Sequence, residues 1–259
     1  MLIAVADHAP VRGDTTANLA TIARLAAGAA AAKASLLVLP RLSLTGVPAT
    51  EQEAGRVAEL SDGASAHALR EIAARHEVGL AAGYVEACTG RCYDAALVID
   101  AAGRCLANYR CSHLDRVAAH GLSQGQWLTV VPIGSLRCGV LIGPDIAYPE
   151  PARALALAGV DALAVLGDAT ADAAVVPDIL VPARAAENGV GVIYAGSGAR
   201  IAAADGTLTG RAVGEGLIVA ELAGASPALG PAFAPFAGRR QRLYQRLVAV
   251  EEGETGPPI

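Results

Sequence analysis

Short runs of Val, Ile, Leu and Ala alternate along the chain with longer stretches in which apolar residues recur every three or four positions. The short runs read as buried strands and the longer ones as helices with one apolar face. Leu2 to Ala6 is the first strand, and Asp14 stands where it caps a helix carrying Leu19, Ile22, Leu25, Ala26 and Ala29 on one side. Leu36 to Leu39 is the next strand. A helix from near Asp62 to about His76 turns Leu69, Ile72 and Ala73 inward, and Gly79 to Val85 with Tyr93 to Asp100 read as a hairpin. Arg104 to Tyr109 follows a turn at Ala101 to Gly103, and a polar stretch from Cys111 to Gln126 leads to strands near Trp127 to Val131 and Arg137 to Ile142. The second half repeats the scheme. A helix near Pro149 to Ala158 precedes the strand Ala162 to Leu166, and a helix around Pro177 to Asn188 precedes Val190 to Ala195. Asp205-Gly206 marks a hairpin turn between two short strands. This alternation predicts an α/β fold, a mixed sheet covered by helices. No Ser/Gly linker divides the chain, so residues 1–259 read as one domain of two similar halves, with a core to about 236 and an irregular arm over 237–259.

Composition narrows the picture. With 53% hydrophobic and 17% charged residues the chain is too apolar for disorder, and 259 residues are enough for a large core. Acidic residues outnumber basic ones 25 to 20 and aromatic content is 3%, so neither a basic face nor a stacking platform for nucleic acid is present in the sequence. The longest uncharged, mostly apolar run, Leu222 to Gly238, contains Pro227, Pro231 and Pro235 and reads as a loop, so no membrane association is expected. The opening MLIAVADHAP lacks a basic region and reaches Asp7 early, which points to a cytoplasmic protein. Five cysteines, an odd number without regular spacing, agree with a reducing compartment.

Candidate chemistry is sparse. Gly121-Leu-Ser-Gln-Gly125 fits G-x-S-x-G, but no core strand precedes it and no helix follows, so it reads as a polar loop. Glycines 189, 191, 196 and 198 follow no phosphate-binding spacing, and no cofactor or metal is expected. Cys88 and Cys92 flank the hairpin tip, where a surface loop is the plain reading and a metal ligand pair or a disulfide the sharper one. Cys111 and His113 stand two apart, which in an extended segment turns both side chains to one side, as an activated thiol requires, while packing and hydrogen bonding are the plainer reading.

Three further segments carry more. Leu36 to Gly46 reads LLVLPRLSLTG, Tyr109 to Leu114 reads YRCSHL, and Gly139 to Glu150 reads GVLIGPDIAYPE. In that order they resemble the nitrilase superfamily of carbon-nitrogen hydrolases. The first is similar to its strand ending in proline, catalytic glutamate and a leucine-serine-threonine-glycine turn. The second is similar to its tyrosine-arginine-lysine-x-histidine-leucine segment, and the third to its strand followed by nucleophilic cysteine, aspartate and proline-glutamate. GDTTANL at 13–19, ARAAENGVGVIYAG at 183–196 and RRQRLYQRL at 239–247 support the match across nearly the whole chain. The resemblance implies an αββα sandwich that becomes a four-layer αββα-αββα arrangement on pairing, hence a homodimer or higher homo-oligomer. It also implies a site where cysteine attacks an amide or nitrile carbon, glutamate acts as base and lysine stabilises the tetrahedral intermediate.

The sequence departs from that pattern at every catalytic position. Arg41 stands for the glutamate, Cys111 for the lysine and Gly143 for the cysteine, and a second glutamate of many members falls at Ala118. Lys33, the chain's only lysine, precedes its strand and belongs at the end opposite Arg41. Glycine offers no nucleophile, and loss of that group alone costs on the order of 10⁶ in kcat. The expectation is therefore a pseudoenzyme with a degenerate triad, binding a small anionic ligand or serving as a structural partner. The ligand-binding candidates are Arg41, Cys111, His113, Gly143, Asp145 and Tyr148. The alternative is a rewired pocket doing altered C–N chemistry with Arg41, Cys111, His113 and Asp145. For Arg41 two readings stand side by side: an anion clamp, or an internal ion pair with Asp145 or Glu150.

Overall fold

In the computed structural model, which describes residues 1–114, 121–169, 175–213, 216–225, 236 and 238–247, the apolar runs form two sheets with a shared core. In chain order, the first sheet draws on β1 (Leu2–Ala6), β2 (Leu36–Val38), β3 (Gly79–Cys88), β4 (Arg91–Ile99), β5 (Cys105–Arg110) and β6 (Leu122–Ser123). The second contains β7 (Thr129–Ile133), β8 (Leu136–Ile142), β9 (Ala162–Leu166), β10 (Gly191–Ala195), β11 (Arg200–Ala202) and β12 (Leu208–Thr209). Strands β13 (Arg211–Ala212) and β14 (Leu217–Glu221) return to the first sheet, whose order is β13-β14-β1-β2-β3-β4-β5 with β6 beside β4. The second runs β12-β11-β10-β9-β8-β7. Each half has a parallel centre, β1-β2-β3 in one and β8-β9-β10 in the other.

Side chains alternate across each strand, and here both faces are buried. Ile3, Val5, Leu36 and Val38 pack toward the second sheet, against Cys138, Val140, Ile142 and Ile193. Ala4, Ala6, Leu37 and Leu39 face outward, under helices α1 (Thr15–Ala31) and α3 (Ala64–His76). On the far side Leu141, Leu163 and Val165 lie under α4 (Pro149–Leu157) and α5 (Val181–Asn188). The layers are therefore α, β, β, α, the nitrilase-type sandwich.

Most predicted elements are present, and the differences have local causes. Asp14 caps α1 through Ala17 N at 2.9 Å, as its position suggests. Asn18, four residues before Ile22, takes the buried place on the stripe that Leu19 was expected to fill, its polar atoms satisfied by Val11 N, Val11 O and Leu44 O, while Leu19 is only half-buried. The short α2 (Glu51–Val57) was not expected, because it buries only Ala54; it starts instead from Thr50 accepting Glu53 N and Glu53 accepting Ala49 N. The expected helix from Pro177 divides into a π-helical turn, Val176–Leu180, and α5. Gly121 to Gly125 does hold a strand, but only the two residues of β6, with no helix after it. At the β3–β4 tip Thr89 and Gly90 have φ of 47° and 75°, and Cys88 pairs with Arg91 while Ala87 pairs with Cys92. Successive cross-strand pairs face opposite ways, so Cys88 and Cys92 point apart and neither a shared metal nor a disulfide fits.

Candidate functional site

The positions that stand for the triad converge where β2, β8 and β9 end. Ile142 and Leu166 are parallel partners, so the residues after them leave the second sheet side by side. The chain leaving β2 meets them there: Arg41 N donates to Gly167 O at 3.0 Å. Its turn lies so close to β3 that a Cβ on Gly83 would collide with the backbone of Arg41 and Leu42. Ser43 Oγ secures that approach by accepting from Gly83 N at 3.0 Å.

The Arg41 side chain points into the protein and is 5% exposed. Its Nε is 2.8 Å from Asp168 Oδ1, and a terminal nitrogen is 3.7 Å from Asp94 Oδ2. Asp94 rises from β4 and is buried. Burial pushes its carboxyl up to about 7, with Arg41 drawing it down and Asp168 and Asp145 adding to the rise. Gly143 sits against the same arginine at a φ of 38°, where a Cβ would lie 2.8 Å from Arg41 Cδ and 2.9 Å from a terminal nitrogen. Arg41 thus fills the volume that a side chain at 143 requires.

Cys111, at the end of β5, is also fully buried. Its amide donates to Asp94 O at 2.8 Å, and its Sγ lies 3.2 Å from His113 O and 3.5 Å from Ile142 O. Burial, with Asp94 and Asp145 nearby, pushes the thiol far above its ordinary range. The spacing that suggested a thiol–imidazole pair instead brings the thiol to a backbone carbonyl. The His113 ring turns to Asp145, with Nδ1 at 2.9 Å from Oδ1, and stacks on Tyr148 with centroids 4.2 Å apart.

Asp145 is the most heavily bonded carboxylate of the region. Besides the His113 ring it accepts from Tyr109 OH at 2.7 Å, Ile142 N at 3.0 Å, His113 N at 2.9 Å and Ser112 N at 3.2 Å. It ties β5, β8 and the following 3₁₀ turn, Gly143–Ala147, together. Its oxygens are committed to this cradle, so it is not the partner of Arg41. Nor is Glu150, which is exposed at the start of α4. Among the described residues the ion-pair partners of Arg41 are Asp168 and Asp94, neither of them anticipated. The one available clue was Asp94 itself, a lone charge within the apolar run from Tyr93 to Ile99. Lys33 is exposed beyond α1, before β2 begins. Ala118 lies outside the described residues. Among those described, no group of three or more His, Cys, Asp or Glu is placed to hold a metal ion.

Arg41, Gly143 and Asp145 occupy one end of the sandwich, and known proteins show the same frame. The carbon-nitrogen hydrolase family model matches residues 2–223. A protein described as a hydrolase in the pqqF 5′ region of Pseudomonas protegens is 35% identical over 198 residues, covering 75% of this chain and 69% of its own. An (R)-stereoselective amidase of a Pseudomonas species is 32% identical over 176 residues, 68% of this chain and 63% of that protein. Among solved structures, a mutant of the Nesterenkonia AN1 amidase of the nitrilase superfamily superposes with a TM-score of 0.83 at 27% identity, over 95% of this chain and 97% of that one. In another form that amidase carries an acetamide group added covalently at its active-site cysteine, and it superposes here with a TM-score of 0.78 at 25% identity, over 95% of this chain and 96% of that one. The sequence segments, the layered fold and these relatives agree, and the chain belongs to the carbon-nitrogen hydrolase family of the nitrilase superfamily.

Proposed function

We propose that this chain is a non-hydrolytic member of its family, a scaffold and binding protein in which an internal ion pair has replaced the Glu-Lys-Cys machinery. The observation that carries this reading is the position of Arg41, inside the space a nucleophile at 143 would need. Its charge is directed to Asp168 and Asp94, so the same observation favours the ion-pair reading over the anion clamp. Replacement of Arg41 alone does not restore a nucleophile, and replacement of Gly143 alone meets the arginine. The two departures from the family pattern support each other sterically.

The rewired-enzyme reading has weaker support. Cys111 is held neutral and out of solvent, whereas a nucleophilic thiol has to be a thiolate. Asp145 holds five donors and has no capacity left for a substrate proton. We read the chain as one domain that works as a cytoplasmic homodimer or higher homo-oligomer. No described helix is long and apolar enough to cross a membrane. Exposed Leu157, Val175 and Ile179, on or beside the helices outside the second sheet, supply an apolar surface for pairing.

The test is turnover of a panel of aliphatic amides and nitriles by the wild type and by the triple variant Arg41→Glu, Cys111→Lys, Gly143→Cys. The wild type is expected to stay at the uncatalysed rate, and the triple variant to show a single-turnover acyl burst. Wild-type hydrolysis above the uncatalysed rate would overturn the reading, and its loss in Cys111→Ala or His113→Ala would establish the rewired pocket instead. Slow reaction of Cys111 with a thiol reagent, relative to a free thiol, is expected alongside.

A further inference from the structure

Strand β5 has two faces, and the site described above uses only one. Tyr109 and Cys111 point between the sheets, so Asn108 and Arg110 point outward, beyond the part of that face α3 covers. There they border a cavity of about 380 Å³, closed on its other sides by β4 and by the segment from Gln124 to Thr129. That volume lies at the small end of ligand pockets, roughly 300 to 1,000 Å³, and suits a single small molecule.

The lining has a definite chemistry. Arg110 is immobilised by buried Glu86, through Nε at 2.6 Å and a terminal nitrogen at 2.8 Å, and its plane lies 4.1 Å over the Tyr93 ring. Arg91 reaches the same cavity, is exposed, and has no ion pair or hydrogen bond among the described residues. With Glu86 answering one of the two arginines, the wall is left cationic. Asn108 Oδ1 accepts from Tyr84 OH at 3.1 Å, which orients the amide and leaves its nitrogen to donate. Gln124 and Gln126 add further amides. The remaining wall is Trp127, the chain's only tryptophan, and it is 83% exposed. Trp127 thus presents a broad aromatic face to the cavity that Arg91 also lines.

We propose that this cavity binds a small planar anion, a molecule with one flat ring and a carboxylate or phosphate group. Arg91 takes the anionic group, Trp127 stacks on the ring, and the amides of Asn108 and Gln126 bond its polar edge. The site is separated from Arg41 by the β5 backbone and does not depend on whether the triad position is silent.

Because Trp127 is the only tryptophan, its emission reports occupancy directly, and calorimetry serves ligands that absorb. The probes are benzoate and adenosine monophosphate, which separate the carboxylate from the phosphate source. Acetate and inorganic phosphate carry the charge without the ring; benzamide and adenosine carry the ring without the charge. Saturable binding of benzoate or adenosine monophosphate is expected, about tenfold weaker in Arg91→Ala and at least tenfold weaker for the probes lacking ring or charge. Arg91 is exposed and unpaired, so its removal leaves the fold intact, which the melting temperature checks. No saturation by either ring-bearing anion, equal affinity in Arg91→Ala, or equal binding of the ringless or uncharged probes would each overturn the proposal.

Discussion

Two buried aspartates at the same end of the sandwich have opposite surroundings. Asp145 collects five donors from three segments, and its charge is distributed over backbone amides, a phenol and an imidazole. Among the described residues Asp94 has no hydrogen-bond donor on either oxygen, only a guanidinium at 3.7 Å that is closer to Asp168. The first is a cradle inherited with the family frame, where the aspartate of GPDIAYPE has the supporting role that its place in the segment implies. The second belongs to the part that the proposed function reads as replaced, where Arg41 meets the carboxylates of Asp168 and Asp94. The lesson is that two carboxylates buried at one end of a sandwich can differ completely in bonding, one saturated with donors and the other facing a single distant guanidinium.

The sharpest way to break this contrast is to remove the cradle. Asp145→Ala strands buried amides and the Tyr109 hydroxyl at once and is expected to cost about 3–5 kcal/mol by urea unfolding. A loss under about 1 kcal/mol would mean that the cradle contributes little.

Asp94 is predicted to respond to pH instead. Its folded carboxyl titrates near 7, above the unfolded value of about 3.9, so the folded chain keeps a proton that the unfolded chain has lost in that window. Stability from this group is fully present below about pH 4, falls as pH rises to about 7, and is level beyond, a change of a few kcal/mol. Unfolding free energies at about pH 5 and about pH 8, for wild type and Asp94→Asn, isolate it. A variant with the wild-type slope would show that Arg41 keeps Asp94 ionised throughout.

Next comes the steric half of the replacement. Gly143→Cys presses a Cβ onto Arg41 at 2.8–2.9 Å and occupies a φ of 38°, for a loss of about 1–3 kcal/mol. With Arg41→Ala in the same chain the clash disappears, and the two changes should couple by about 0.5–3 kcal/mol in a double-mutant cycle. Strict additivity would separate the two positions. The smallest effect is Tyr109→Phe, which removes one of the five donors to Asp145 and should cost about 1 kcal/mol in the same unfolding assay.

Much of the frame was legible before any coordinates. Period-two and period-three-to-four patterns located β1, α1, α3 and the strands of the second sheet, though not β13 or β14, because burying one face or both is recorded locally in the order of residues. Elements without such a record escaped: α2, with one buried residue, rests on its cap, and Asn18 is buried through bonds to a loop. The candidate site was legible as a list of positions. Arg41, Cys111, Gly143 and Asp145 do come together, with His113 and Tyr148 stacked at the rim. Its bonding was legible only in part: the packed reading of Cys111 agrees with its burial, but the ion-pair reading of Arg41 named Asp145 or Glu150 in place of Asp168 and Asp94.

By itself, then, the order of residues determined the layered α/β architecture and the family, both of which depend on local periodicity or on short contiguous segments. Only the tertiary structure decided which charges meet. Arg41 and Asp168 follow the ends of β2 and β9 and Asp94 lies within β4, all far apart in the chain, and their encounter depends on β-sheet register and on a turn pressed against Gly83. A carboxylate's partner and its proton affinity depend on distance and burial, and neither is a property of its neighbours in sequence.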